Sequence, residues 1–301
     1  MTSRGILLTS RRQPLAIEAP VVAPREAMPR SRFTPYRRFS LRVGVNMPLW
    51  VAVGALLVPY LYALGAAFQT EGELFSYPPH IIPTHPTLYE FTALFGQTEF
   101  VQWFFNSLVI AVAITVLGTA IASLAAYALA AYEFPGKRVA FGVVIVLLAV
   151  PYSVFLVPLY LEIIRLHLIN SDLGAILPQC FSAFGVFLLR QYMLAIPKDH
   201  FDAARVDGAS EFRIYRSIVV PTVKPAIAIF VLFTFNLAWN NFLWPTFVFS
   251  STGKFTLPVG LASLLTPDRP MVALALAGSV LSMVPSAAVF LWLQRYFQQV
   301  F

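Results

Sequence analysis

The sequence predicts an all-α, polytopic membrane protein with six transmembrane helices and both termini in the cytoplasm. Three observations carry that expectation. The chain is 58% hydrophobic and only 12% charged over 301 residues, with a mean hydropathy of +0.72, whereas soluble domains carry about 25% charged residues. Six charge-free windows approach or exceed the roughly 20 residues that a helix needs to cross the hydrocarbon core. The basic residues, finally, fall almost entirely on one side of that six-window count.

The windows are residues 43–70, 100–132, 139–161, 173–189, 225–253 and 270–294. The fourth is the shortest and contains Pro178; Arg190 and Gln191 at its end lengthen it by snorkelling. With the N-terminus inside, the inner segments hold eighteen Lys and Arg: nine in residues 1–42, then Lys137 and Arg138, six from Arg190 to Lys224, and Arg295. The outer segments hold three, Arg165, Lys254 and Arg269. Removing any one window would mix the two sets, so the charge pattern supports both the count and the orientation.

The chain divides into an Arg- and Pro-rich tail (1–42), a membrane domain (43–294) and a short inner tail (295–301). The first tail has too little periodic apolar content to fold alone and suits anionic headgroups. It is not read as a cleaved signal, because a full-length span follows it without a cleavage site. The outer loop 71–99 is Pro-rich, acidic and aromatic, and is expected to form a short ordered cap. Small residues at steps of four in the second window (Ala111, Thr115, Thr119, Ser123) and in the sixth (Gly278, Ser282, Ser286) predict close helix packing. Trp50, Trp103 and Trp292 lie near span ends and suit the interfacial belt.

Several functions are excluded or weakened at this point. Cys180 is the one cysteine, and His80, His85, His167 and His200 show no ligand spacing, so no metal site is expected. No GxxxxGK[ST] phosphate loop occurs, and nucleotide chemistry would belong to another chain. The net charge of +7 follows topology rather than a nucleic-acid surface. No Asp or Glu lies inside any window, which argues against a proton-coupled secondary transporter. An integral membrane enzyme would need a nucleophile, acid pair or metal cluster that the sequence does not display.

One stretch stands apart. "FDAARVDGASEFRIYRSIVVP", residues 201–221, is charged yet carries Phe201, Ala204, Gly208, Phe212, Tyr215 and Val219 as an apolar stripe at helical steps. Asp199 is the expected N-cap, with Asp202 in the first turn and Arg213 and Arg216 near the end. Gly208 predicts a bend that divides the segment into two short helices. On physical grounds two readings stand: a helix lying flat on the membrane surface, or a stripe docked in a partner's groove with Asp202, Arg205, Asp207 and Glu211 as a charged rim.

Residues 202–221 resemble the EAA loop of permease subunits in bacterial ATP-binding cassette (ABC) importers. Asp202, Ala203 and Ala204 match Glu-Ala-Ala, and Gly208, Ile218, Val220 and Pro221 follow with every spacing kept. Asp202 for Glu and Val220 for Leu are the two departures. "WFFNSLVIA" at 103–111, "FLLRQYMLAIPKDHFDAARVDGAS", "AWNNFLWPTFV" at 238–248 and "FTLPVGL" at 255–261 are similar to the second permease of the family's carbohydrate-uptake branch. The family's Gly-rich inner tail is replaced here by "LQRYFQQVF", and its contact to the ATPase is expected to be reduced.

The resemblance implies a non-catalytic subunit: a second permease completes the pore as a heterodimer, and two ABC ATPase subunits beneath carry ATP and Mg. An extracytoplasmic solute-binding protein delivers cargo, and this chain binds no cofactor and no nucleic acid. It implies that the loop 197–221, between spans four and five, is a coupling helix. Phe201, Ala204, Phe212 and Tyr215 would form its docking face, Asp202 and Arg205 its anchors and Gly208 its bend, with Ala203, Asp207 and Pro221 completing the motif. For the cargo path the expected residues are Asn236, Trp239, Asn240, Asn241 and Trp244, with Asn106 and Tyr152. Amides satisfy hydroxyls and flat aromatics stack on sugar rings; the opposing reading has the asparagines bonding across helices and the tryptophans in the belt. A sugar or related polyhydroxy solute is the expected cargo, and an amino-acid or peptide permease of the same family the nearest alternative.

Overall fold

The computed structural model describes residues 35–78, 80–268 and 270–297. It is helical almost throughout, as a chain in lipid must be, because only intra-segment bonds satisfy the backbone there. Two compact units are distinguished, 1–56 and 57–301. In the first, the described residues belong to helix α1 (Pro35–Ala66), which runs on into the second. Its start lies inside the expected tail; the rest of that tail, 1–34, and residues 298–301 lie outside the described residues.

Two carboxylates, Glu71 and Glu73, order the segment 71–99. It holds α2 (Glu71–Leu74) and α3 (Tyr89–Gln97). Glu73 accepts from both the backbone N–H and the hydroxyl of Thr84 at 2.6 Å. Glu71 accepts from the backbone N–H groups of Val272 and Ala273 at 3.2 and 2.9 Å, where the start of the last long helix leaves them without an intrahelical partner.

Three helices are long and apolar enough to cross a membrane, and up to six spans result if each bent pair counts as one. The single helices are α1, α4 (Phe100–Ala131) and α15 (Val272–Phe297). The third window is not one rod: α5 (Lys137–Ala149) and α6 (Tyr152–Arg165) meet at 104°. Pro151 sits at the corner, where the residue before it is pushed out of helical geometry. The fourth is also broken, α7 (Asp172–Ile176) passing through a 3₁₀ turn at Leu177–Gln179 before α8 (Ala183–Leu194), with a 44° bend. Ser182 caps α8 by accepting from Gly185 N–H.

Beyond α8 come α9 (Lys198–Val206) and α10 (Glu211–Ile214), a π-helical turn at Tyr215–Val219, and α11 (Val220–Thr222). The fifth window then contains α12 (Lys224–Trp239), a break, and α13 (Leu243–Val248). α14 (Leu257–Ser263) precedes α15.

The bundle is built on α4, which packs against both α8 and α12, while α12 packs on α15. Ala111, Thr115 and Ser123 are buried along α4 and Gly278 is buried on α15, so the small-residue stripes are packing surfaces. Arg190 is held by the bundle: its Nε donates to the Leu129 carbonyl at 3.2 Å and its guanidinium lies 3.8 Å over the Phe141 ring. It thereby satisfies a carbonyl near the end of α4. Trp103 is not in the belt, since it is buried with Nε1 bonded to the Thr252 carbonyl.

Gly185 lies where α8 crosses α4 and α12, and a Cβ there would run into the Phe230 ring and the Ala122 methyl. Gly185→Val is expected to destabilise by about 1–3 kcal/mol through overpacking. Thermal unfolding in detergent measures this, with Gly142→Ala, whose added methyl meets nothing within 4 Å, as the neutral control.

Candidate functional site: a bent loop and an amide-lined cavity

Two sites emerge, one at the charged loop and one at the helix breaks. In the loop, α9 closes with Asp207 as its last half-helical residue and Gly208 at φ +75°. Gly208 N–H donates to the Arg205 carbonyl and Ala209 N–H to the Ala204 carbonyl, both at 3.0 Å, the bond pair of a Schellman end. Ser210 then caps α10 by accepting from Arg213 N–H. The bend at Gly208 and the two short helices are as the sequence led us to expect. The N-terminal cap is not: Pro197 precedes the first turn, Asp199 lies inside it and Asp202 beyond it.

One carboxylate, that of Glu211, gathers the polar bonds that fasten the loop to the end of α4. Glu211 Oε2 accepts from Tyr132 OH at 2.6 Å and from Tyr127 OH at 2.8 Å, and its Oε1 accepts from Arg205 Nε at 2.9 Å. Arg205 also donates to Asp202 at 3.2 Å. Tyr127 lies on α4 and Tyr132 caps its end. The Arg205 guanidinium, then the Tyr132 hydroxyl, hold the Glu211 carboxyl far below its ordinary range, down to about 2. Ser123 and Tyr215 add a hydroxyl pair at 2.7 Å.

The expected docking face is therefore split. Phe201 is buried against Tyr127, and Tyr215 packs on the same ring, with centroids 6.4 and 5.4 Å away. Ala204 is half-buried against the same core. Phe212, by contrast, is 68% exposed, and Val206 is 86% exposed. Asp202, Ala203, Asp207, Gly208 and Pro221 are exposed as well. Phe201, Ala204 and Tyr215 hold the loop to its own chain, and the outward apolar residues are Val206, which the stripe omitted, and Phe212.

The second site is a cavity of about 820 Å³ lined by Tyr152, Gln179, Asn236, Asn240 and Asn241 together with Phe233, Leu237, Phe242 and Leu243. Three helix interruptions converge on it. Tyr152 opens α6 after the corner, Gln179 ends the 3₁₀ turn, and Asn240 to Phe242 form the gap between α12 and α13. Irregular backbone at membrane depth is tolerated where it is buried or lines a cavity, and discontinuous helices mark binding sites in several transporter folds.

Four of the seven expected pathway residues thus meet, and three do not. Asn106 donates to the carbonyls of Gly253 and Phe255 at 2.9 and 3.0 Å, tying down the segment before α14. Trp244 is fully buried, with Nε1 on the Gly174 carbonyl. Trp239 is buried with Nε1 on the Ser282 carbonyl and borders a separate cavity of about 310 Å³. Gln179 was missed; an uncharged polar residue beside Pro178 in an apolar window was its available signal. No group of three metal-ligating side chains occurs among the described residues.

The fold and its two sites define a polytopic transport subunit. Residues 118–300 match the family described as "Binding-protein-dependent transport system inner membrane component". The chain is 37% identical over 267 residues to the arabinooligosaccharides transport system permease protein AraQ of Halalkalibacterium halodurans, covering 88% of this chain and 94% of that protein. It is 42% identical over 208 residues to AraQ of Bacillus subtilis, covering 69% and 74%. To the sn-glycerol-3-phosphate transport system permease protein UgpE of Yersinia enterocolitica it is 31% identical, covering 86% and 95%. A crystal structure of a bacterial ABC transporter involved in alginate import shares the fold, with a TM-score of 0.75 over 88% of this chain and 99% of that one at 22% identity. The chain belongs to the binding-protein-dependent transport system inner membrane component family, as a multi-pass permease subunit of an ABC importer.

Replacing Glu211 by Gln removes the charge that Arg205 and the two tyrosines bind. Because the folded carboxyl titrates below its unfolded value, the clasp's contribution is full above about pH 4.5 and is lost as pH falls toward about 2. The difference in unfolding temperature between the native protein and Glu211→Gln is expected to be constant from pH 8 to 5 and to close below that range, read by differential scanning fluorimetry in detergent.

Proposed function

We propose that this permease moves a sugar or related polyhydroxy solute into the cytoplasm, driven by an ABC ATPase docked on the loop 197–221. A second permease completes the pore, two ATPase subunits bind and hydrolyse ATP with Mg on the inner side, and an extracytoplasmic solute-binding protein presents the cargo. The observation that carries the reading is the cavity at the converging helix breaks, whose amides and aromatics suit hydroxyls and ring faces. The names of the AraQ relatives agree with it.

The loop supplies the mechanical link. Val206 and Phe212 project apolar surface, Asp202 and Asp207 lie exposed beside them, and the Schellman end at Gly208 fixes the angle between α9 and α10. Glu211, Arg205, Phe201 and Tyr215 fasten that lever to α4. Movement of an ATPase cleft would therefore be transmitted as a rigid-body shift to α4 and through its packing to α8 and α12.

Affinity purification of the tagged chain from its native membranes is expected to bring down an ATPase bearing a phosphate loop and a second permease. Phe212→Asp combined with Val206→Asp is expected to release the ATPase while leaving the permease pair intact, because both side chains are exposed. Retention of the ATPase by that double variant would overturn the docking assignment. Gly208→Leu, strained at positive φ by about 1 kcal/mol or more, is expected to keep the complex assembled and lose solute-stimulated ATP hydrolysis.

A further inference from the structure

We propose that the amide-lined cavity selects uncharged, hydroxyl-rich cargo and disfavours phosphorylated or carboxylate-bearing solutes. This rests on the transport reading above and narrows it to a chemical class. The argument comes from the mix of donors and acceptors left on the amides and from the uncharged lining around them.

The backbone fixes which way the amides face. Asn236 Nδ2 donates to the Leu232 carbonyl at 3.0 Å, and Asn240 Nδ2 donates to the Asn236 carbonyl at 2.9 Å. A carbonyl only accepts, so neither amide can turn over without losing its bond. Asn241 Oδ1 accepts from Trp244 N–H at 3.2 Å, which directs Asn241 Nδ2 to Gln179 Oε1 at 2.9 Å. Those bonds consume one of the two donors on each asparagine, that of Asn236 within α12, that of Asn240 at its end and that of Asn241 across to Gln179. They leave the Oδ1 atoms of Asn236 and Asn240 as acceptors, the second Nδ2 hydrogen of each asparagine and the Gln179 Nε2 hydrogens as donors, and the Tyr152 hydroxyl, which does both.

A sugar hydroxyl donates and accepts, so it satisfies either kind of leftover group. Phosphate and carboxylate oxygens only accept, so they can pair with the N–H groups but leave the Oδ1 atoms of Asn236 and Asn240 without a donor. Every residue lining the cavity is an amide, an aromatic or a leucine, so this chain offers no cation to offset the desolvation of an anion, a cost that rises steeply for an unpaired charge.

Saturation-transfer NMR tests this on the full complex purified from native membranes, without a binding protein, using arabinotriose and glycerol 3-phosphate as probes at equal concentration. Arabinotriose is expected to receive saturation and glycerol 3-phosphate about tenfold less. Gln179→Ala and Asn236→Ala are each expected to cut the arabinotriose signal about fivefold, by leaving hydroxyls without partners. Asn240→Lys, at an exposed helix end, is expected to bring up a glycerol 3-phosphate signal, a gain that a misfolded variant does not produce. Equal transfer to both probes overturns the inference, as does transfer to neither, or an arabinotriose signal that both alanine variants leave unchanged. The importer reading fails separately, only when no ATPase accompanies the purified chain.

Discussion

A helix in lipid cannot stop without stranding backbone N–H and C=O groups, and this constraint organises the whole molecule. Each interruption has to find replacement partners inside the protein. Ser182 supplies one at the start of α8, Arg190 another near the end of α4, and Glu71 a third at the start of α15. Where α12 gives way to α13, asparagine side chains take up the work, with Asn240 bonded back to the Asn236 carbonyl and Asn241 accepting from Trp244 N–H. The polar residues of the cavity are therefore tied to the irregular backbone first. Their remaining atoms become available to a ligand as a consequence.

The charged loop obeys the opposite condition. It lies beyond the apolar windows, so water solvates its ends and its charges, and only its attachment to the bundle has to be built. One carboxylate does most of this, gathering two tyrosines and an arginine at 2.6 to 2.9 Å. Charge-assisted bonds of that length hold geometry better than the apolar contact of Phe201 alone. Val206 and Phe212, before and after the Gly208 turn in sequence, are exposed, and Glu211, next to Phe212, makes the attachment.

Much of the fold was legible because its signals are local. Window length, the basic-residue asymmetry and the spacing from Asp202 to Pro221 each depend on near neighbours, and the turn at Gly208 followed from the one residue that accepts positive φ freely. Counting charge-free windows missed the corners at Pro151 and Pro178, since a break lined by amides and aromatics carries no charge to interrupt the count. The stripe through Phe201 and Tyr215 was read as one face, yet a periodicity names a face and not what covers it. It also lost phase: the helix restarts at Glu211 and passes through a π turn, so Ile214 and Val219, five apart, are the buried pair while Phe212 swings outward. Tyr127 and Glu211 stand 84 residues apart, and no spacing rule connects them.

The tryptophans show why residue type alone misleads about a transport path. Trp239 and Trp244 looked like stacking platforms because they flank three asparagines, but an indole buried in a bundle must place its N–H on an acceptor. Each does so on a backbone carbonyl, Trp239 across to α15 at Ser282 and Trp244 to Gly174 on α7. Those bonds tie α12 to α15 and α13 to α7 beside the gap that Asn240 and Asn241 line. The two tryptophans thus brace the helices beside the break, and the smaller amides between them line the cavity.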